Sequence, residues 1–237
     1  MIIIKMTWQQ GETKMYQYKT EPHLHVSEVS CCARIGAQEM IKLYAEAGYH
    51  TVFVTDHLTR KTFDQWGELP WEEKTKNFFA GYELAREAGV RYGINVLFAA
   101  ELTFHKKPND YLLYGITRDF LNQREDLFDL SIGEFYAYAK ENGVTVIQAH
   151  PYRDGFTTPA DVSCIDALEV YNSNPRHENH TEKAIAFAKE HGIPMTAGSD
   201  AHRYDDVAQS GVLTSYEIKS AEDYVRCVMS GDLEIIK

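Results

Sequence analysis

The sequence predicts an α/β fold in which strands and helices alternate and the sheet closes into a barrel within a single domain. Short runs rich in Val, Ile, Tyr, Thr and Leu recur along the chain. Amphipathic stretches with helical periodicity lie between most of them. Such alternation is typical of a mostly parallel sheet. With 237 residues and seven or eight strands, closure into a barrel is favoured over an open sheet.

The strands are predicted from their β-branched and aromatic content. In chain order they cover residues 16–25, 51–55, 95–100, 111–115, 144–149, 167–171, 195–197 and 211–214. Residues 1–14 have no clear pattern. We therefore expect a short N-terminal extension over residues 1–14, followed by the barrel domain over residues 15–237.

The helices are predicted from apolar residues that recur on one face. They cover residues 37–47, 71–88, 132–141, 181–190 and 221–229. A glycine that can end a helix follows each of them closely: Gly48, Gly89, Gly143, Gly192 and Gly231. Ser131 with Glu134 three residues later predicts a capping box at the start of the third helix.

The charge balance restricts the class of partner. The net charge is −11 with His neutral, whereas a non-specific binder of long nucleic acid is normally basic. We therefore expect a small substrate and no long nucleic acid. The sequence does not indicate an oligomeric state.

The cysteines indicate a reducing compartment. Cys31, Cys32, Cys164 and Cys227 form no C-x-x-C pair, and no signal peptide or membrane span is evident. Reduced thiols in a cytoplasmic protein are the expected interpretation.

Histidines and carboxylates cluster just after the predicted strands. The segments are His23-Leu24-His25, Thr55-Asp56-His57, Glu101, His150-Pro151 and Gly198-Ser199-Asp200-Ala201-His202. The carboxyl ends of the strands are where barrel enzymes place their active sites. We therefore expect these side chains to meet at one end of the barrel.

The spacing within these segments favours metal binding. In H-x-H on a strand both imidazoles point to the same side, because side chains alternate with a period of two. Asp200-x-His202 repeats this geometry. Imidazole and carboxylate ligands suit Zn²⁺, Mn²⁺ or Fe²⁺. The remaining histidines are expected to be surface or packing residues: His50, His105, His177, His180 and His191.

These ordered motifs resemble those of the PHP domain family, which is named for polymerase and histidinol phosphatase. The resemblance extends from about residue 16 to near the C-terminus. It implies a distorted seven-stranded (β/α) barrel of the TIM-like type, a centre of two or three divalent ions, and hydrolysis of phosphoesters.

The resemblance also implies roles for individual residues. A first ion would be held by four side chains: His23, His25, Glu101 and Asp200. Glu101 would bridge to a second ion that also takes His150, and a third ion would take His57 and His202. Asp56 is either a ligand or a partner that orients one.

The sequence departs from the family pattern at two places. Where the family often has His or Asp after H-x-H, this chain has Ser30 and Cys31. Cys31 as a thiolate or Glu28 could replace that ligand, or both could merely line the pocket. Before the fourth strand, Asp110 stands where many members have His, and we expect it to be a ligand.

The expected activity is hydrolysis of a small phosphate monoester, as in histidinol phosphatase, by a metal-bound hydroxide. Arg153 is the expected phosphate clamp, ahead of Arg34, Arg176 and Arg203. His202 is the candidate proton donor to the leaving group, and Asp200 is counted with the catalytic residues. The alternatives are a 5′–3′ oligonucleotide exonuclease or nucleotidase, a phosphotyrosine-protein phosphatase and, least favoured, a non-catalytic module.

Overall fold

The computed structural model describes residues 15–237, and their central feature is one mixed β-sheet of ten strands. The predicted extension over residues 1–14 lies outside the described residues. The strands are β1 (Tyr18–Leu24), β2 (Thr51–Val54), β3 (His57–Thr59), β4 (Asn95–Thr103), β5 (Asp110–Tyr114), β6 (Thr145–Gln148), β7 (Ala167–Asn172), β8 (Met195–Gly198), β9 (Gly211–Thr214) and β10 (Glu234–Ile236). The short strands β3 and β10 were not predicted.

The sheet nearly closes on itself. Its hydrogen-bonded order is β10-β9-β1-β2-β4-β5-β6-β7-β8, and β3 pairs with β4. The two sides meet just beyond the end of β8, where Ala201 forms a parallel bridge with Leu24 of β1. There the amide of His25 donates to the carbonyl of Ala201 over 3.0 Å. The predicted α/β single-domain barrel is confirmed.

The sheet is less parallel than expected. β5 runs antiparallel to both of its neighbours, β4 and β6. β9 likewise runs antiparallel to β1 and β10. Only residues 104–109 join β4 to β5, and a parallel connection needs a crossover of a dozen residues or more. The short link therefore forces a hairpin.

Within the described part of the chain, eight α-helices pack around the sheet: α1 (Ala37–Glu46), α2 (Arg60–Asp64), α3 (Trp71–Phe78), α4 (Ala80–Tyr92), α5 (Arg118–Asn122), α6 (Ile132–Glu141), α7 (Thr181–His191) and α8 (Ala221–Ser230). The predicted capping box of α6 is confirmed, since Ser131 and Glu134 exchange both hydrogen bonds. The predicted helix over residues 71–88 is divided into α3 and α4 at Phe79. Among residues 15–237, no helix has the length and apolar composition that a membrane crossing requires.

The prediction that Gly89 ends a helix is wrong. Gly89 lies inside α4, and the helix ends at Gly93, whose φ of 70° is left-handed. A Cβ on Gly89 would lie 2.7 Å from both the carbonyl oxygen of Ile94 and Cγ2 of Val96. Gly89 therefore permits close packing of α4 on β4.

One end of the barrel is filled by apolar side chains. Phe53, Leu112 and Tyr114 of the sheet pack with Tyr224 and Val228 of α8 in one buried cluster. α8 also approaches the start of β6, where the parallel strands begin. Polar side chains line the opposite end of the barrel, where the parallel strands finish.

Candidate metal centre

All eight side chains expected as metal ligands meet at the end of the barrel where the parallel strands finish. Their potential donor atoms form four overlapping groups, each within 4.8 Å: His23, His25 and Glu101; His23, His150 and Asp200; Glu101, Asp110 and His150; and His25, His57 and His202. Asp110 joins them because β5 is reversed, so its first residue lies beside Thr103 at the end of β4.

Hydrogen bonds determine which nitrogen of His23 and His25 is free. Nδ1 of His23 lies 2.8 Å from Oε1 of Glu169, a carboxylate that can only accept while ionised. The hydroxyl of Ser30 donates to Asp56 over 2.7 Å and lies 3.4 Å from Nδ1 of His25, from which it can accept. Both histidines therefore present the lone pair of Nε2, and these two atoms are 3.1 Å apart.

Two carboxylates face the same pair of nitrogens. Oε1 of Glu101 lies 3.3 Å from Nε2 of His23, and Oε2 lies 3.4 Å from Nε2 of His25. Oδ1 of Asp200 lies 3.5 Å and 3.2 Å from the same nitrogens. This oxygen is buried and has no hydrogen-bond partner within residues 15–237. Buried lone pairs that face each other need a cation between them, so this donor set fits a divalent ion.

The pKa shifts follow from the same crowding. Burial alone would lower the pKa of His23, but the carboxylates of Glu169, Asp200 and Glu101 hold it well above its usual value. Burial alone would raise the pKa of Glu101 and Asp200, but His23 and further cationic neighbours hold both well below the usual range. The site thus favours ionised carboxylates beside a positive charge.

Backbone strain accompanies two of these residues. His150 and Asp200 adopt left-handed φ values of 27° and 51°, which are uncommon for residues other than glycine. His150 places Nε2 2.9 Å from Oε1 of Glu101 and 3.8 Å from Oδ2 of Asp110. Its Nδ1 is buried without a hydrogen-bond partner in the described part of the chain. Strain and an unsatisfied polar atom are features that concentrate at functional sites.

The third group lies nearer the surface. The ring of His25 stacks against those of His57 and His202, with centroids 4.2 Å away in both cases. Nε2 of His57 lies 3.3 Å from Nε2 of His202 and 3.1 Å from Sγ of Cys32. Hydrogen bonds from His202 and His57 outweigh burial and lower the pKa of the Cys32 thiol to about 6.

Two of the tentative ligands are not part of these groups. Both carboxylate oxygens of Glu28 accept from the amide of Ala37, at 2.9 Å and 3.0 Å, so Glu28 caps α1. Both Cys31 and Cys32 are exposed, and it is the sulfur of Cys32 that lies against His57. Of the alternatives considered for Glu28 and Cys31, the structure does not favour ligation, because the turn after β1 directs Glu28 to α1 and leaves Cys31 outside the groups.

Asp56 lies behind the centre. It is buried, accepts from the amide of Val26 over 2.9 Å and from Ser30 over 2.7 Å, and reaches His25 only through Ser30. Burial raises its pKa to about 7. Of the two roles considered for Asp56, the structure favours that of an orienting partner.

Arg153 is held at the edge of the centre. Its Nη2 lies 2.6 Å from Oδ2 of Asp200 and 3.0 Å from Oδ1 of Asn172. Arg176 forms a two-fold ion pair with Asp206, at 2.6 Å and 2.7 Å. Arg153 and Arg176 line a pocket of about 360 Å³ together with Arg203, His177, Asn174, Cys32 and five members of the metal groups.

Sequence reasoning missed three residues of the site. Glu169 orients His23, and Cys32 contacts His57. Glu21 accepts from the amides of His23 and Ser199 over 2.9 Å and 3.0 Å, which joins β1 to the end of β8. A signal for Glu169 was present, since it stands in the largely apolar strand β7, whereas Glu21 lies in the mostly polar strand β1. Cys32 had no such signal.

The fold is a TIM-like barrel, and the polar side chains at the ends of its strands form a candidate metal site. Residues 178–232 match the family described as PHP-associated. Over these residues the match agrees with the resemblance to the PHP domain family. No curated protein sequence matches the chain.

Solved structures share this fold at low sequence identity. A two-domain Bacteroides vulgatus protein containing a predicted PHP-like metal-dependent phosphoesterase is 14% identical, with a TM-score of 0.65 over 97% of this chain and 69% of its own. A candidate metal-dependent phosphoesterase from Bifidobacterium adolescentis is 16% identical, with a TM-score of 0.57 over 91% and 97%. A lesion-specific endonuclease from Pyrococcus furiosus is 16% identical, with a TM-score of 0.61 over 92% and 57%.

Proposed function

We propose that the chain is a metal-dependent phosphoesterase that hydrolyses the phosphate monoester of a small molecule, as histidinol phosphatase does. One observation carries the proposal: buried nitrogen and oxygen atoms of His23, His25, Glu101 and Asp200 face one another within 3.1–3.5 Å. A bound divalent cation would pair with all of these atoms at once. The PHP-associated match at residues 178–232 supports the same class of chemistry.

The ligand assignment follows the four groups. The first ion would be held by His23, His25, Glu101 and Asp200; the second by Glu101, Asp110 and His150; the third by His57 and His202. Zn²⁺, Mn²⁺ and Fe²⁺ all suit imidazole and carboxylate donors. Bound divalent ions would polarise the phosphoryl oxygens and offset the charge that develops during in-line attack on phosphorus.

Arg153 is proposed to bind the phosphoryl group. Its guanidinium is fixed by Asp200 and Asn172, and a fixed planar donor can read phosphate oxygens without losing further rotational freedom. We assign His202 to ion binding rather than to protonation of the leaving group. Its Nδ1 is 2.9 Å from the carbonyl of Asp200, and its Nε2 faces His57.

The dimensions and charge of the pocket favour a small anionic substrate. A volume of about 360 Å³ is near the lower end of the range for small-molecule sites, roughly 300–1,000 Å³. Three arginines line it beside the carboxylates of Glu101, Asp110 and Asp200, whose charge the proposed ions would offset. We therefore propose a small phosphorylated metabolite rather than long nucleic acid as the partner. All four cysteines are free thiols, which supports a cytoplasmic location.

Replacement of the paired histidines tests the metal centre. The double variant His23→Ala/His25→Ala should lose hydrolysis of a generic aryl phosphate while its circular dichroism stays native. The matched control is His105→Ala/His191→Ala, which removes two exposed histidines. Full activity in the first variant would overturn the proposal.

A substrate panel tests the finer assignment. It should contain histidinol phosphate, nucleoside monophosphates, short RNA and phosphotyrosine, assayed with Zn²⁺, Mn²⁺ and Fe²⁺ in turn. The highest kcat/KM is expected for a small monoester. Preference for RNA would identify a nuclease, and preference for phosphotyrosine a protein phosphatase.

A further inference from the structure

His57 and His202 form the outer histidine pair, and each uses its Nδ1 in a hydrogen bond. Nδ1 of His57 lies 2.8 Å from Oε2 of Glu101, and Nδ1 of His202 lies 2.9 Å from the carbonyl oxygen of Asp200. Both partners are oxygen acceptors, so Nδ1 is the nitrogen that each ring uses as a hydrogen-bond donor. The two Nε2 atoms lie only 3.3 Å apart and are the ring atoms left available to an ion.

Cys32 is the third group that faces this pair. Its sulfur lies 3.1 Å from Nε2 of His57 and lines the same pocket as His57 and His202. The thiol of Cys32 thus contacts His57 and is within hydrogen-bonding reach of His202 at the mouth of the barrel. This is a ligand set of the kind found in zinc sites.

The backbone holds Cys32 over the histidines from both sides. The amide of His57 donates to the hydroxyl of Ser30 over 3.0 Å. The amide of Arg34 donates to the carbonyl of His202 over 2.8 Å. Cys32 lies midway between Ser30 and Arg34, so the turn that carries it is tied directly to the main chain of each histidine. The chain on either side of Cys32 is thus anchored beside both histidines.

We propose that Cys32 is a thiolate ligand of an ion that it shares with His57 and His202. The inference rests on the proposed metal centre but not on the identity of its substrate. On binding, the thiol releases its proton to solvent. A soft sulfur donor favours Zn²⁺, Co²⁺ or Fe²⁺ and disfavours Mg²⁺ and Mn²⁺. The outer site should therefore accept fewer kinds of metal ion than the sites deeper in the barrel, which have only His and carboxylate ligands.

Cobalt substitution tests this assignment without an activity assay. The full-length protein is stripped of metal with a chelator under reducing conditions and titrated with Co²⁺. A thiolate ligand produces a sulfur-to-cobalt charge-transfer band in the near ultraviolet. The wild type should show this band and Cys32→Ser should lose it completely. The neighbouring Cys31→Ser is the matched control and should keep the full band.

Protection of the thiol gives a second, independent readout. In the Cys31→Ser background, Zn²⁺ should slow alkylation of Cys32 at least tenfold, whereas Mg²⁺ should leave the rate unchanged. Both substitutions are at exposed positions, and circular dichroism checks that the variants fold.

The outcomes separate the two proposals. If the wild type binds Co²⁺ without the band, or if Cys32→Ser keeps it, the role of Cys32 is refuted while the metal centre stands. If the wild type binds no Co²⁺, the metal centre is refuted together with this inference.

Discussion

Glu169 accepts a hydrogen bond of 2.8 Å from Nδ1 of His23, and both side chains are fully buried. Its second carboxylate oxygen accepts from the amide of His150 over 3.1 Å and from the side-chain amide of Asn172 over 3.0 Å. Every contact of Glu169 is therefore with a donor. This arrangement fixes the tautomer of His23 and directs its Nε2 lone pair towards Glu101 and Asp200.

The substitution Glu169→Gln should weaken metal binding. The amide offers only one acceptor oxygen, so its NH₂ group must face a donor on one side. Partners that orient a metal-binding histidine are typically worth about 10–100-fold in metal affinity, and we expect a loss of that size. A competition titration against a chromophoric chelator measures it, with the exposed Glu190→Gln as the control. Equal affinity in both variants would show that Glu169 does not orient His23.

The substitution Arg153→Lys should reduce phosphoesterase activity although the charge is kept. Lysine cannot hold Asp200 and Asn172 and also present a planar pair of donors to phosphate. Hydrogen bonds to charged groups are worth roughly 1.5–3 kcal/mol, so kcat/KM should fall by about 10–150-fold. Steady-state kinetics on the best substrate of the panel measures the effect. The exposed Arg91→Lys should match the wild type, and an unaffected Arg153→Lys would argue against a phosphate contact.

Removal of metal should lower thermal stability. An ion that binds only the folded chain stabilises it by about 2.7 kcal/mol when present at a hundred times its Kd. For a chain of this size that corresponds to a Tm shift of roughly 5–10 °C. Thermal melts with chelator and with added Zn²⁺ or Mn²⁺ measure the difference. The shift should disappear in His23→Ala/His25→Ala, and its persistence there would place the ion elsewhere.

The substitution Gly198→Ala should disturb the site by direct contact. A Cβ at this position would lie 2.5 Å from Cβ of His23 and 2.9 Å from Oε1 of Glu169. Overpacking of this kind costs about 1–3 kcal/mol, measured by urea unfolding, and metal affinity should fall as well. In contrast, Gly133→Ala meets nothing closer than 3.9 Å and lies in α6, so it should stabilise the chain by about 0.4–1 kcal/mol. A change of the same sign in the free energy of unfolding for both variants would contradict this packing argument.

The substitution Glu28→Ala distinguishes a role of Glu28 in capping α1 from a role in binding metal. Loss of the carboxylate leaves the first amide of α1 unpaired and removes a negative charge from the helix N-terminus. We expect a loss of about 1–2 kcal/mol in the free energy of unfolding, with unchanged metal content by elemental analysis. Glu46→Ala, at the exposed far end of the same helix, is the control. A fall in metal content in Glu28→Ala would restore Glu28 as a ligand.

Much of the fold was predictable because local signals agreed with it. The alternating composition of the strands, the helical periodicity and the capping box of Ser131 and Glu134 each report a local preference. The same alternation puts His23 and His25 on one side of β1, so their pairing could be expected. The reversal of β5 was harder to predict, because strand direction depends on which neighbours the chain finds after the short link over residues 104–109.

The sequence by itself determined the barrel class, because strand periodicity and strand order act over short distances or along the whole sheet. The eight side chains that meet at its mouth followed from the resemblance of its motifs to the PHP domain family. The tertiary structure alone decided that Cys32 rather than Cys31 faces His57, that Glu28 caps α1, and that Glu169 orients His23. These contacts join residues up to 146 positions apart or depend on the path of one irregular turn. Neither a long-range contact nor the direction of a side chain in a turn is encoded in a local pattern of residues.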